Sequence, residues 1–288
     1  MELIDLHSHW GTERGYVLRS SAELDQQHNT WKSKPSYHTE EEMAAYFRAN
    51  GVRAILDFSF TKSLPISEMR GYHDYAIETQ RKFPHEILGH WFQFDPRVGK
   101  DAVAEYRRML DICPGFVGLG VASGTIGVPA GDPLWFPFYE LCIEARRPAL
   151  IFVGTTGLGA GLRGGKGVRL DDGHPRHLDE VAARFPDLDI VAGRPAWPWQ
   201  DEMIDILLHK ANVWFELHGW SPKHLTPALK RDISRRLKDR VMFGADYPLF
   251  TYERLVGDWR ADGYSDEILD KIFIGNARRF LATYGITV

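Results

Sequence analysis

The sequence predicts an α/β fold, a single (β/α)8 TIM barrel over residues 1–288. Three observations predict it. Eight short apolar runs recur along the chain, most of them continuous rather than alternating, as strands buried on both faces should be. Each run is followed by a segment of helical period, the order of a parallel sheet wrapped by helices. At 288 residues the chain is long for an ordinary domain but usual for this barrel, and it can bury a large core without staples. A doubly wound open sheet is the competing fold, and no glycine fingerprint follows the first run to support it. Neither a repeat nor a linker divides the chain.

In order, the strand candidates are "ELIDLH" (2–7), "RAILDF" (53–58), "EILGHWF" (86–92), "GFVGLGV" (115–121), "PALIFV" (148–153), "LDIVAG" (188–193), "NVWFEL" (212–217) and "RVMFGA" (240–245). The clearest helix is "TEEEMAAYFRANG", where Thr39 caps, acidic residues fill the first turn and Gly51 ends it. Further helical segments follow the other strands, ending in a C-terminal group through "EILDKIFIGNARRFLATYG". Two connections exceed the usual loop length. Residues 10–38 carry Trp10, Arg14, Tyr16, Arg19, His28 and Trp31, and residues 154–173 read "GTTGLGAGLRGGKGVRLDDG". Both follow strand C-termini, the face on which such barrels build their sites. The glycine-rich stretch matches no phosphate-loop pattern and reads as a cover over the barrel mouth.

A net charge of −4 argues against nucleic acid as a partner, since such binders show a basic face. Cys113 and Cys142 cannot form a disulfide framework, which favours a reduced, cytoplasmic setting. Met1 leads straight into a strand without a leader-like segment. No apolar run reaches the roughly 18–20 residues that cross a bilayer. A homo-oligomer is allowed by the aromatics of the 10–38 loop and not demanded by them.

His7 and His9 end the first strand. Residues i and i+2 of a strand share a side, about 6.6 Å apart, so two imidazoles can converge on one ion. Asp246 in "FGADYPL" ends the eighth strand, which a closed barrel sets beside the first. Two imidazoles and a carboxylate make a first shell for Zn²⁺ or a similar divalent ion, with room for water or substrate. A helix-capping Asp246 is the alternative.

The segments "IDLHSHW", "GTTGLGAGLRGG", "HPRHLDEVAARFPDLDIV", "WPWQDEMI", "NVWFELHGWSPKHL" and "FGADYPL" resemble successive landmarks of the amidohydrolase-related enzymes, in the branch of aminocarboxymuconate-semialdehyde decarboxylase and its relatives. The resemblance spans nearly the whole chain. It implies a (β/α)8 barrel, one divalent metal, and decarboxylation or hydrolysis of a small carboxylate-bearing substrate. It also implies a metal-binding histidine at the end of strand 5 and a proton-handling histidine on strand 6. Here those positions hold Phe152 and Arg194. A phenyl ring cannot ligate, and a guanidinium cannot shuttle a proton near neutral pH.

Three readings accommodate the departures. His7, His9 and Asp246 hold a metal with three protein ligands. Alternatively the metal is lost and Arg194 supplies fixed positive charge, pairing with a substrate carboxylate or internally with Asp246 or Glu216. Or His218, which ends strand 7, takes the acid–base role near neutral pH or supplies the missing ligand. Asp57 and His90 point toward the mouth if the register holds, and Trp10 and His90 join Arg194 as substrate-contacting candidates. His174 and His177 sit at a helix start, while His28, His38, His73, His85, His209 and His224 read as loop or solvated helix positions. Trp197 to Trp199 reads as helix-start packing, and no "GxSxG" elbow occurs.

The leading function is a lyase that decarboxylates a small cyclic or aromatic carboxylate, with Asp246, His218 and Arg194 as its catalytic groups. Hydrolysis of a lactone or amide, a metal-free isomerisation or hydration, and a non-catalytic binding barrel are the alternatives.

Overall fold

The computed structural model describes residues 2–16, 20–32, 38–58 and 61–288; Arg19 lies outside them, as does the side chain of Trp31. Eight parallel strands follow one another in sheet order: β1 (Leu3–Ser8), β2 (Val52–Asp57), β3 (Ile87–Gln93), β4 (Phe116–Val121), β5 (Ala149–Phe152), β6 (Ile190–Gly193), β7 (Val213–Glu216) and β8 (Val241–Met242). The last strand returns to the first through backbone bonds, Leu6 N to Phe243 O at 2.9 Å and Asp246 N to His7 O at 3.0 Å. The predicted barrel therefore closes.

Around it lie α1 (Ser21–Trp31), α2 (Glu40–Ala49), α3 (Ile66–Lys82), α4 (Lys100–Ile112), α5 (Ser123–Ile126), α6 (Phe136–Ala145), α7 (Pro175–Arg184), α8 (Gln200–His209), α9 (Pro227–Ile233), α10 (Tyr252–Ala261), α11 (Asp266–Asp270) and α12 (Asn276–Ala282). α2 starts on a reciprocal cap: Thr39 Oγ1 accepts from Glu42 N, and Glu42 accepts from Thr39 N. α1 corrects the expectation of an unstructured first loop. Its sequence, SAELDQQHNTW, has no apolar stripe for periodicity to detect.

Inside the barrel, Ile4, Leu6, Ile55, Leu88, Trp91, Phe116, Leu150, Val191 and Met242 form a dry floor, closed beneath by Ala277, Phe280 and Leu281. Two residues further along the strands, on the same face by alternation, stand Asp57, Gln93, Phe152 and Glu216. The polar site thus rests on an apolar base.

Two register slips decide which histidines join it. β1 pairs Asp5 with Ala54 but Ser8 with Leu56, so it carries one extra residue. β3 does the same, pairing Ile87 with Ala54 but Gly89 with Ile55. A one-residue slip sends every later side chain to the other face. On β1 it turns His7 and His9 inward after Leu6. On β3 it turns Trp91 and Gln93 inward and His90 and Phe92 outward.

Candidate active site

His7, His9 and Asp246 meet at the C-terminal mouth, all buried. His9 Nε2 lies 3.0 Å from Asp246 Oδ1, and the His7 and His9 rings stand edge to face at 5.1 Å. The ligand-capable atoms of the three residues lie within 4.8 Å of one another. Asp246 holds a left-handed backbone, φ 61°, sparsely populated for a residue with a side chain and frequent at functional sites. Its carboxylate packs against Gly219, where an added Cβ would come within 2.8 Å of Oδ2.

The electrostatics favour anionic Asp246 and neutral His7. Burial alone would raise the Asp246 carboxyl, but the His9 hydrogen bond, with His9, His218 and Arg194 close by, holds it well below the usual range. For His7, burial pushes the imidazole pKa down, and His218, His9 and Arg194 push it further. Burial raises Asp57, which accepts both of its short bonds from Gln93 Nε2, at 2.8 and 2.7 Å. Asp57 Oδ2 lies 3.5 Å from His7 Nδ1.

Phe152 stands where the resemblance implied a ligand, with its ring edge-on to His7 at 5.3 Å and to His218 at 5.5 Å. His218 is locked by Glu216, whose two oxygens accept from its backbone N (2.8 Å) and from Nδ1. Glu216 fits because residue 244 is glycine; a Cβ there would meet Glu216 Oε2 at 2.5 Å. Arg194 Nε donates to His218 Nε2 at 3.2 Å and Nη1 donates to the Thr155 carbonyl at 3.3 Å. Because a guanidinium only donates, His218 carries its proton on Nδ1. Arg194 itself has φ 74°, and neither of these partners is a carboxylate. The internal pair with Asp246 or Glu216 is therefore replaced by contacts that leave the positive charge available to a bound anion.

A divalent ion fits the first triad on two grounds. Neither nitrogen of the buried His7 ring has a hydrogen-bond partner among the described residues, although buried polar atoms are nearly always paired. Asp246, held anionic beside the two imidazoles, completes a donor set that a divalent ion accepts. His7, Glu216 and His218 satisfy the same distance test but fit poorly. Glu216 accepts from His218 and His218 Nε2 accepts from Arg194, and the His7 and His218 rings stack at 3.8 Å and 18°, so their in-plane lone pairs do not converge.

Two expected substrate contacts are corrected. Trp10 and His90 are fully buried and stack on each other at 5.8 Å, beside Phe58 and, for Trp10, Tyr75 of α3. They pack the layer between barrel and helices, on the face opposite Gln93. His73, expected on a solvated face, is likewise buried and pairs with Glu105 at 2.9 Å. Trp197, expected to pack a helix start, is 46% exposed. His174 does cap α7, accepting from Arg176 N.

His90 has a measurable consequence. Burial, with His73 nearby, pulls its pKa down to about 3 from 6.5. The unfolded chain therefore binds a proton in this window that the folded chain does not, and stability falls as pH drops from 6.5 toward 3. At roughly 1.4 kcal/mol per pH unit, the loss is on the order of 5 kcal/mol. His90→Phe, in an aromatic nest, should flatten the acid limb of melting temperature against pH relative to the unmodified chain.

The family model for amidohydrolases matches residues 4–283. The chain belongs to the amidohydrolase family. No curated protein matches this amidohydrolase in sequence. Among solved structures it is similar to an uncharacterised TIM-barrel protein from Bordetella bronchiseptica, at 19% identity and TM-score 0.78 over 99% of this chain and 100% of that one. It is similar to 2,6-dihydroxybenzoate decarboxylase from Rhizobium, at 14% identity and TM-score 0.72 over 99% and 100%. It is also similar to 5-carboxyvanillate decarboxylase from Novosphingobium aromaticivorans, solved with manganese and 4-hydroxy-3-methoxy-5-nitrobenzoic acid, at 16% identity and TM-score 0.70 over 98% and 96%. At these identities the likeness is one of fold. No helix among the described residues is long and apolar enough to cross a membrane.

Proposed function

We propose that this amidohydrolase-family enzyme is a non-oxidative decarboxylase of a small aromatic or cyclic carboxylate, with a divalent ion on His7, His9 and Asp246. The observation that carries the reading is the buried triad in which neither His7 nitrogen makes a hydrogen bond among the described residues. Two imidazoles and one carboxylate suit Zn²⁺, and Mn²⁺ is the ion in the similar carboxyvanillate decarboxylase. When bound, the ion supplies Lewis-acid polarisation and a template for substrate oxygens.

The chain's own groups do the remaining work. Arg194 holds the substrate carboxylate by charge-assisted hydrogen bonds, and Phe152 offers an aromatic wall beside it. Decarboxylation breaks the C–CO₂ bond, leaves the electron pair on carbon and needs one proton there. Asp246 is the group assigned to deliver it: anionic at rest, it takes the proton from a substrate hydroxyl or solvent and passes it to carbon, while His218, its ring fixed by Glu216 and its Nε2 accepting from Arg194, stands beside it.

Elemental analysis of the purified chain, with CO₂ release measured over hydroxybenzoates and heterocyclic acids, tests this. About one divalent ion per chain and release of CO₂ from a member of the panel support it. Activity that survives exhaustive chelation, or turnover of lactones without CO₂, overturns it.

A further inference from the structure

The two strand ends that bear the triad leave regular pairing just where it is needed most. Among the described residues β8 is a ladder only at Val241–Met242, paired with β7. β1 has slipped against β2 between Asp5 and Ser8. Yet His7 and Asp246 must keep a fixed separation, and Asp246 must be held in its left-handed conformation. The backbone contributes one bond between them, Asp246 N to His7 O at 3.0 Å, and a buried side chain braces the two strand ends beside it.

Asp5 occupies that place. It is fully buried and points away from the barrel interior, on the face of β1 shared with Leu3 and Ser8. Oδ1 accepts from His7 N at 3.0 Å and from Ala245 N at 3.1 Å. Oδ2 accepts from Tyr252 Oη at 2.7 Å and from Ser8 Oγ. Ser8 Oγ, having donated, accepts from Tyr247 N at 3.0 Å. One carboxylate therefore takes a backbone N–H from the first strand end at His7 and another from the last strand end at the residue before Asp246. Through Ser8 it also reaches the residue after Asp246. Both its oxygens are doubly engaged, so it is a brace and not a ligand.

We propose that Asp5, with Ser8 and Tyr252, is the positioning group that sets the separation of the His7 and Asp246 ligand atoms through the backbone. The inference rests on the metal reading above. Partners that orient metal ligands typically change affinity about 10- to 100-fold when removed. Tyr252→Phe removes one hydroxyl, 2.7 Å from Asp5, and leaves the ring in its packing against Tyr46, Phe47 and Tyr247.

The test is calorimetric titration of chelator-stripped full-length protein with Mn²⁺, and separately Zn²⁺, alongside melting temperatures. Tyr252→Phe and Ser8→Ala should each weaken binding about tenfold, and Asp5→Asn more. Phe280→Leu, in the apolar floor, controls for general destabilisation: it should lower the melting temperature and leave ion affinity within about twofold, since it touches no ligand-orienting group. Ion binding that Tyr252→Phe and Ser8→Ala leave unchanged overturns the brace alone. An unmodified chain that binds neither ion overturns the metal reading, and the brace with it.

Discussion

Asp246→Asn should strip the divalent ion from the chain and lower turnover about 1,000-fold or more, with the fold intact. Asparagine tolerates the left-handed backbone that Asp246 adopts, and it keeps the side-chain volume against Gly219. What disappears is the only anionic member of the triad. Lewis-acid stabilisation is worth several kcal/mol, and about 1.4 kcal/mol is tenfold in rate. His7→Ala should empty the same site by removing a ring whose nitrogens make no hydrogen bond among the described residues. Metal content by elemental analysis, read beside kcat, decides the matter. A fully loaded, fully active Asp246→Asn enzyme would sink the assignment.

Arg194→Met should raise KM for the carboxylate substrate about 10- to 100-fold, the range for losing a charge-assisted hydrogen bond worth roughly 1.5–3 kcal/mol. Methionine inherits the same left-handed backbone, φ 74°, so strain is nearly unchanged and the effect reads the guanidinium. The variant also leaves His218 Nε2 without its donor, so kcat is expected to move as well. An uncharged ester of the substrate, used as a competitive inhibitor, separates the two: its inhibition constant should not change between Arg194→Met and the unmodified enzyme. Arg194→Lys should recover only part of the loss, because an ammonium cannot reproduce the planar fork. Unchanged KM in Arg194→Met would remove the clamp.

The legible part of the site lay at the two ends of the chain. His7, His9 and Asp246 follow apolar runs, and parallel closure alone requires the first and eighth strands to be neighbours. Phe152 and Arg194 were visible as departures from a family pattern, and both stand at the site. Glu216 was less so: it was weighed only as an ion-pair partner for Arg194, whereas it anchors His218. Nothing local marks that role, since it depends on the absence of a side chain at Gly244, 28 positions away, just past β8.

Trp10 and His90 show why the remainder was out of reach. Counting alternate residues from Leu88 places His90 inside the barrel. The extra residue of β3 opposite β2 places it outside, and Trp10 packs on it there. The same kind of slip on β1 turns His7 and His9 into the interior. The apolar period of each strand and the histidines and aspartate at the strand ends are local properties of the chain, because burial on both faces leaves its mark on each segment separately. The face each side chain takes at the mouth is not local. It depends on how one strand seats against its neighbour, and a shift of a single residue there reverses it.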